Sequence, residues 1–290
     1  MATVIGTGSE SQPGYISRKR RTATSSAGRG SDDALQSLVQ GEIIPRLLVA
    51  HSLPSDRRPA SGTRIIDAGE AERFAPLALR LEADELLAEV ERHLDRGCTV
   101  ESVFVDLLAP SARKLGEYWE ADHCDFVDVT MGLWRLQEVM RALTLRSPSM
   151  AGLPGAPKAS LFSPMPGEQH SFGSLMLEEV FSRGGWQSEA LIEPSRKDLL
   201  RQVAERSFDL VGLTVSCDCP SATIADLITA LRSVSRNPVV NIMIGGRLVN
   251  DQPELVELVG ADGTAPDAAS ALELAERLVV ANAAYTPAFS

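Results

Sequence analysis

The sequence of 290 residues has few cysteines, few aromatic residues and no long apolar run. Its four cysteines, Cys98, Cys124, Cys217 and Cys219, are too few and too scattered for a disulfide framework. No second pair accompanies Cys217 and Cys219 to complete a zinc site, so we expect buried or half-buried free thiols. No apolar stretch reaches the roughly 18 to 20 residues that a membrane-spanning helix needs. Because the N-terminus also lacks the layout of a secretory signal, we expect a cytoplasmic protein without membrane contact.

Acidic residues outnumber basic ones, and the formal net charge is −11 at pH 7. The charge is uneven, because residues 1–31 hold five basic residues, four of them in the run Arg18–Arg21, and one acidic residue. The acidic remainder is a poor surface for direct binding of DNA. Residues 1–32 are predicted to be a disordered basic tail, through which any direct DNA contact would pass.

Composition and apolar spacing divide the chain further. Residues 33–64 are predicted to be one helix, to about residue 49, followed by a polar linker. Residues 65–147 have apolar side chains at three- and four-residue steps, which predicts a small bundle of helices at about 68–81, 83–96, 100–120 and 125–145. Residues 148–157 are predicted to be a linker rich in proline and glycine, and residues 283–290 a tail.

Residues 158–282 alternate short apolar segments with helical patterns. Strands are predicted at 158–163, 186–192, 210–215, 239–244 and 261–264. Helices are predicted between them, including one at 252–259 before the last strand. The alternation predicts a doubly wound, flavodoxin-like α/β domain with a five-stranded parallel sheet, so that the fold class is α + α/β. Because crossovers between parallel strands are right-handed, a ligand is expected beyond the carboxyl ends of the strands.

Three loops at those predicted ends carry unusual residues. Each loop is numbered after the predicted strand that precedes it. The first loop holds Glu168, His170 and Gly173, the third loop holds Thr214 and Ser216, and the fourth loop holds Gly245-Gly246. His170 can project an imidazole into the crevice, and Glu168 can accept a hydrogen bond from Nδ1, which leaves Nε2 as a metal ligand. The paired glycines let a flat group approach the backbone, and the two hydroxyls can bind a buried heterocycle. Each feature alone is common, whereas the ordered set is specific.

This set resembles the signature of the cobalamin-binding domain family, which runs Asp-x-His-x-x-Gly, then Ser-x-Leu, then Gly-Gly. The chain has Glu168-x-His170-x-x-Gly173, Thr214-Val215-Ser216 and Gly245-Gly246. The resemblance implies that His170 ligates the cobalt of a cobalamin from below. It also implies that the displaced nucleotide tail runs into a slot lined by residues of the second and third motifs. Three residues depart from the signature: Glu168, Thr214 and Ser216.

The bundle resembles the cap over the upper corrin face in cobalamin photoreceptors and corrinoid methyl-carrier proteins. Residues 115–119 resemble the photoreceptor segment that puts a tryptophan over the upper ligand, so Trp119 is a candidate cofactor contact. Where that pattern continues with Glu-His, this chain has Val129 and Thr130. The loss of the carboxylate favours the hydroxo- or aquo-form of cobalamin and leaves the adenosyl- and methyl-forms open.

Other aromatic and histidine side chains near the cap have a less defined role. His123, four residues after Trp119, is either an upper axial ligand of the cobalt or an exposed histidine in an inter-helix turn. Trp134 and Trp186 lie in no recognisable motif, so we interpret both as core residues.

The combination over about residues 65–282 is most similar to the AerR/PpaA antirepressors of purple photosynthetic bacteria, which are related to the heme-binding sensor domain of AppA. The resemblance implies a light-responsive regulator that binds a repressor of the CrtJ/PpsR type and relieves repression of photosynthesis genes. Two alternatives stay open: a corrinoid carrier protein for methyl transfer, and a heme-binding redox sensor on the same fold. With neither a glycine-rich phosphate loop nor a nucleophile–base pair, we expect no catalysis.

Overall fold

The computed structural model describes residues 64–147 and 158–285. The predictions for the basic tail, the helix and linker before residue 64, the linker at 148–157 and residues 286–290 lie outside this part of the chain. Among the described helices, none combines the length and the apolar character that a membrane crossing requires.

Four helical stretches follow one another in the first range, as predicted. They are α1 (Ala68–Ala78), α2 (Ala83–Asp95), α3 (residues 100–120, formed by Val100–Ser102, Val103–Leu108 and Ala109–Glu120) and α4 (Phe126–Arg146). Capping explains where two of them begin. The side chain of Asp67 accepts from the backbone of Glu70, and that of Asp125 accepts from the backbone of Asp128, with reciprocal bonds in both cases.

The sequence predicted one continuous helix at about 100–120, but α3 is not a regular α-helix throughout. Its Val103–Leu108 segment is a π-helix, and the N–H of Ala109 donates to the carbonyl of Phe104, five residues earlier. Pro110 follows at once and has no N–H to continue the α-helical ladder. Leu107 and Leu108 of this segment are both completely buried in the bundle core.

The second range forms the predicted doubly wound α/β domain. The strands are β1 (Ala159–Pro164), β2 (Gln187–Ala190), β3 (Leu210–Thr214) and β4 (Asn241–Gly245), all parallel and in the order β2-β1-β3-β4. The helices are α5 (Phe172–Arg183), α6 (Arg196–Glu205), α7 (Ser221–Val234), α8 (Arg247–Asp251), α9 (Leu255–Val259) and α10 (Ala268–Tyr285). The chain reverses its direction of winding between β1 and β3, which is where such folds bind ligands.

Two predictions for the last third of the domain were wrong. The expected fifth strand at 261–264 is reduced to one bridge between Met243 and Gly263. A left-handed turn at Gly260 precedes it and Pro266, which cannot donate to a ladder, follows it, so the segment is too short to extend. The expected helix at 252–259 begins only at Leu255, because Pro253 interrupts the pattern.

The bundle and the sheet domain share a core through α5. Met176 and Val180 on one side of α5 belong to the apolar cluster that fills the bundle. On its other side, the ring of Phe181 packs edge-on against Phe162 of β1, with ring centroids 4.7 Å apart. The guanidinium of Arg183, at the end of α5, lies 5.2 Å from the ring centroid of Phe104 in α3. Helix α5 is therefore packed between the sheet and the bundle.

Candidate functional site

The three predicted loops leave the sheet next to one another. Pro164, Thr214 and Gly245 are neighbours in register at the carboxyl ends of β1, β3 and β4. The backbone continues the pairing beyond β3, because the N–H of Val215 donates to the carbonyl of Gly245 at 2.8 Å. The structure thus brings together the loops that the sequence analysis singled out.

The carboxylate of Glu168 joins the first loop to the third. It is almost completely buried and accepts the N–H of Ser216 at 3.1 Å on Oε2 and that of Cys217 at 3.3 Å on Oε1. A positive φ of 98° at Gly167 forms the turn that presents it. Glu168 therefore fixes the backbone of the third loop beside the first.

His170 lies in the first loop at this edge of the sheet, with 54% of its side chain exposed. Its Nδ1 is 3.9 Å from Oε2 of Glu168, too far for the predicted hydrogen bond, and 3.6 Å from Sγ of Cys217. Because the two ring nitrogens lie on opposite sides of an imidazole, contact at Nδ1 leaves Nε2 to meet a ligand.

Cys217 is the residue of this site that the sequence analysis missed. We expected a buried or half-buried thiol, and the structure leaves Cys217 exposed, whereas Cys98 is buried and Cys124 and Cys219 are half-buried. Partial desolvation of its sulfur and the charges of Glu168 and Asp218 raise the pKa of Cys217. Its position three residues beyond β3 was the available signal, but its proximity to His170 depends on loop conformation.

Thr214 and Gly173 pack together below the loops. Thr214 is buried, and its Oγ1 lies 3.1 Å from Oγ of Ser174, a second residue that the sequence analysis did not single out. A Cβ on Gly173 would lie 3.6 Å from Cγ2 of Thr214, an ordinary contact. This pairing holds the beginning of α5 against the end of β3.

The two glycines after β4 have different surroundings. A Cβ on Gly245 would meet nothing within 4 Å, so the space beside it is open. Gly246 has φ of 100°, and a Cβ there would lie 2.6 Å from the carbonyl oxygen of Val215. Gly246 is therefore required by the protein's own backbone, whereas Gly245 leaves room for something else.

The bundle reaches this edge through the end of α3. Glu120, next to Trp119, forms an ion pair with Arg247, which directly follows Gly246. Trp119 is 48% exposed on that final turn of α3. The pair brings the predicted cap residue to the side of the molecule where the three loops emerge.

Other predicted cap residues differ in their surroundings. His123 is exposed. Its backbone N–H donates to the carbonyl of Tyr118, and its ring centroid lies 6.0 Å from that of the Tyr118 ring. Val129 is buried in the bundle core and Thr130 is exposed. Of the two tryptophans interpreted as core, Trp186 is buried, but Trp134 is 48% exposed on α4. The interpretation of Trp134 was wrong because α4 carries apolar side chains on an exposed face as well as on the face that is buried in the bundle core.

Comparison with known proteins defines first a class of fold and then a family. The solved structure of the monomethylamine corrinoid protein of Methanosarcina barkeri matches with a TM-score of 0.58 and 19% identity, over 71% of this chain and 96% of that one. The chain therefore has the Rossmann-like fold of that corrinoid protein. No family model matches the sequence.

A relative in sequence comes from Rhodobacter capsulatus. It is described as an uncharacterised 20.5 kDa protein in the bchF–crtJ intergenic region, and it is 31% identical over 164 residues, 56% of this chain and 84% of the relative. The chain belongs to the same family as this protein.

Proposed function

We propose that this chain binds a cobalamin at the carboxyl edge of its sheet, with Nε2 of His170 as the lower ligand of cobalt. The observation that carries the proposal is the juxtaposition of a half-exposed imidazole with open space beside Gly245 on neighbouring strand ends. These residues fit a corrinoid, since a metal in a flat macrocycle needs an accessible nitrogen and backbone without side chains. The structural match to the monomethylamine corrinoid protein supports the same ligand.

The protein's own residues would divide the work of binding. His170 would hold the group, while Glu168 keeps the third loop in place through Ser216 and Cys217. Gly246 lets β4 and the backbone of Val215 approach closely, which preserves the slot that Thr214, Ser216 and Gly245 would line. Trp119 would cover the upper side, where a bound cobalt would supply an exchangeable, light-sensitive ligand position.

We further propose a regulatory role without catalysis: a light-responsive, cytoplasmic antirepressor that contacts a repressor of the CrtJ/PpsR type. The gene neighbour crtJ of the Rhodobacter relative bears the name of the repressor that the resemblance implies. A change at the upper ligand would act on α3, whose end is paired to the fourth loop through Glu120 and Arg247. Any DNA contact would be indirect or made by the basic residues near the N-terminus.

Spectroscopy of the full-length protein tests the binding proposal. The purified protein is mixed with hydroxocobalamin or heme, in the dark and after illumination, and desalted before its absorption spectrum is recorded. We expect retained cobalamin bands and no Soret band of retained heme. His170→Ala should abolish retention, whereas Gln169→Ala, an exposed neighbour in the same loop, should leave it intact. Retention of heme alone, or retention unaffected by His170→Ala, would overturn the assignment.

A corrinoid carrier for methyl transfer is the second candidate, favoured by the fold match that covers 96% of the monomethylamine corrinoid protein. The two roles differ in what the loaded protein does. A carrier exchanges a methyl group between its reduced corrinoid and a methyltransferase, whereas an antirepressor releases a repressor from DNA when light is given. Gel-shift assays with a CrtJ-type repressor, paired with methyl-transfer assays, separate the two.

A further inference from the structure

Glu168, His170 and Cys217 form a mixed group of metal-binding side chains. One carboxylate oxygen, one imidazole nitrogen and the thiol sulfur all lie within 4.8 Å of one another. A corrinoid needs only the imidazole of this group, and it needs Nε2. The thiol faces Nδ1, the opposite nitrogen, at 3.6 Å. The cluster thus has a second donor set directed away from the nitrogen that cobalt would use.

The spacing of these atoms matches a tetrahedral site for zinc. With Zn–S of about 2.3 Å and Zn–N of about 2.0–2.1 Å, a tetrahedral ion places sulfur and nitrogen about 3.6 Å apart, and nitrogen and a carboxylate oxygen about 3.4 Å apart. The observed separations are 3.6 Å from Sγ of Cys217 to Nδ1 of His170 and 3.9 Å from Nδ1 to Oε2 of Glu168. The first separation equals the tetrahedral value, the second is about 0.5 Å longer than it, and the sulfur lies within 4.8 Å of the carboxylate oxygen.

The carboxylate is already oriented for such a role. Oε1 of Glu168 accepts two backbone N–H groups, from Ser216 and Cys217, whereas Oε2 accepts only that of Ser216. Oε2 is also the oxygen nearer to His170, and it keeps a lone pair for a cation. Backbone donors that hold a ligating carboxylate in place are typical of the outer shell of metal sites.

We propose that the corrinoid-free protein binds a divalent cation of the zinc class through Sγ of Cys217, Nδ1 of His170 and Oε2 of Glu168, with water as the fourth ligand. The Cys217 thiol loses its proton to solvent and the thiolate donates an electron pair to the metal, with no change in oxidation state. A thiolate with an imidazole selects zinc-like ions over Mg²⁺ and Ca²⁺, which prefer oxygen ligands.

The proposed metal has a consequence for cobalamin, which rests on the function proposed above. A metal on Nδ1 leaves the ring proton on Nε2, and a protonated nitrogen cannot donate to cobalt. The two metals therefore compete for His170 although they use different atoms. Release of the divalent ion becomes a condition for ligation of the corrinoid.

Free Co²⁺ is the probe that tests the site, because it replaces zinc and absorbs visible light. Full-length protein stripped with a chelator is titrated with Co²⁺, and we expect a near-ultraviolet thiolate charge-transfer band, tetrahedral visible bands, and loss of both when Zn²⁺ is added. Cys217→Ser should remove the charge-transfer band and weaken binding at least about tenfold. Cys219→Ser, which changes a half-buried thiol outside the trio, should retain both. Absence of the band, or its persistence in Cys217→Ser, would overturn the site.

Hydroxocobalamin retention is then measured with and without one equivalent of Zn²⁺. We expect zinc to suppress retention in the wild-type protein and to have no effect in Cys217→Ser. Equal retention with and without zinc in a protein that shows the Co²⁺ band would refute competition. A protein that shows the band but never retains cobalamin would contradict the proposed function alone, and one that retains cobalamin without the band would contradict the zinc site alone.

Discussion

The buried carboxylate of Glu168 accepts the N–H of Ser216 at 3.1 Å, which links two loops whose residues are 48 positions apart. Where the cobalamin-binding signature that the sequence resembles has aspartate, this chain has a side chain one methylene longer. The extra length reaches the backbone of the third loop, while the distance to Nδ1 of His170 stays at 3.9 Å. In this protein the acidic residue is therefore a loop anchor, and the imidazole has the thiol of Cys217 as its nearer neighbour.

We expect Glu168→Ala to lower the free energy of unfolding by about 1–3 kcal/mol, because it leaves the N–H groups of Ser216 and Cys217 without their acceptor. Glu168→Gln keeps one acceptor oxygen and should lose less. Urea unfolding of both variants checks the order, with Gln169→Ala as the control. Equal losses in the Ala and Gln variants would show that charge rather than hydrogen bonding matters.

The two adjacent glycines should respond differently to alanine. Gly246→Ala forces a side chain into a backbone with φ of 100° and against the carbonyl of Val215, so we expect a loss of roughly 2 kcal/mol or more in stability. Gly245→Ala has open space and should leave the melting temperature nearly unchanged while it weakens cobalamin binding. Thermal melts and cobalamin titrations measure the two effects. Unchanged affinity in Gly245→Ala would place the corrinoid elsewhere.

A charge exchange tests the contact between the bundle and the fourth loop. Glu120 and Arg247 are both well exposed, so the coupling energy of the pair should stay below about 1 kcal/mol and vanish in 1 M salt. The measurement is a double-mutant cycle with Glu120→Arg, Arg247→Glu and the double variant, in which opposite charges face each other again. A double variant no more stable than expected from the sum of the two single changes would mean that the residues do not meet.

The pH dependence of stability should report on His93, whose side chain is only 12% exposed and lies 3.9 Å from the carboxylate of Glu70. Burial lowers the pKa of His93 from its ordinary value of 6.5; Glu70 opposes this, and Arg96 and Arg64 add to it. Because the unfolded chain then binds the proton more readily, stability should fall as the pH drops through 6.5 and level off below the folded pKa.

The matched variant is His93→Gln, which keeps a polar side chain without a titrating group. Urea unfolding between pH 8 and pH 5 should give it a flatter profile than the wild-type protein. A steeper or identical profile would assign the pH dependence to other groups.

The elements that the sequence predicted well are those with a strong local pattern. The bundle helices and the four strands follow from apolar spacing, and the three loops of the site follow from strand order. The failures concern features that apolar spacing alone does not report. Pro110 lies two residues after the π-helical segment of α3, and Pro253 lies in the turn directly before α9, within the helix expected at 252–259. The contact of Cys217 with His170 depends on how Glu168 holds the third loop, which no spacing in the sequence reveals.

Helix α5 begins at Phe172, two residues after His170, and runs for 12 residues. Its Met176 and Val180 are embedded in the bundle core, while Phe181 packs on the sheet. The imidazole of His170 lies close to one end of this short helix, and the interior of the bundle packs along its length. A displacement of His170 by a few tenths of an ångström is therefore transmitted to close-packed side chains, which cannot absorb it by compression. His170 and the bundle core are thus connected through a single helix.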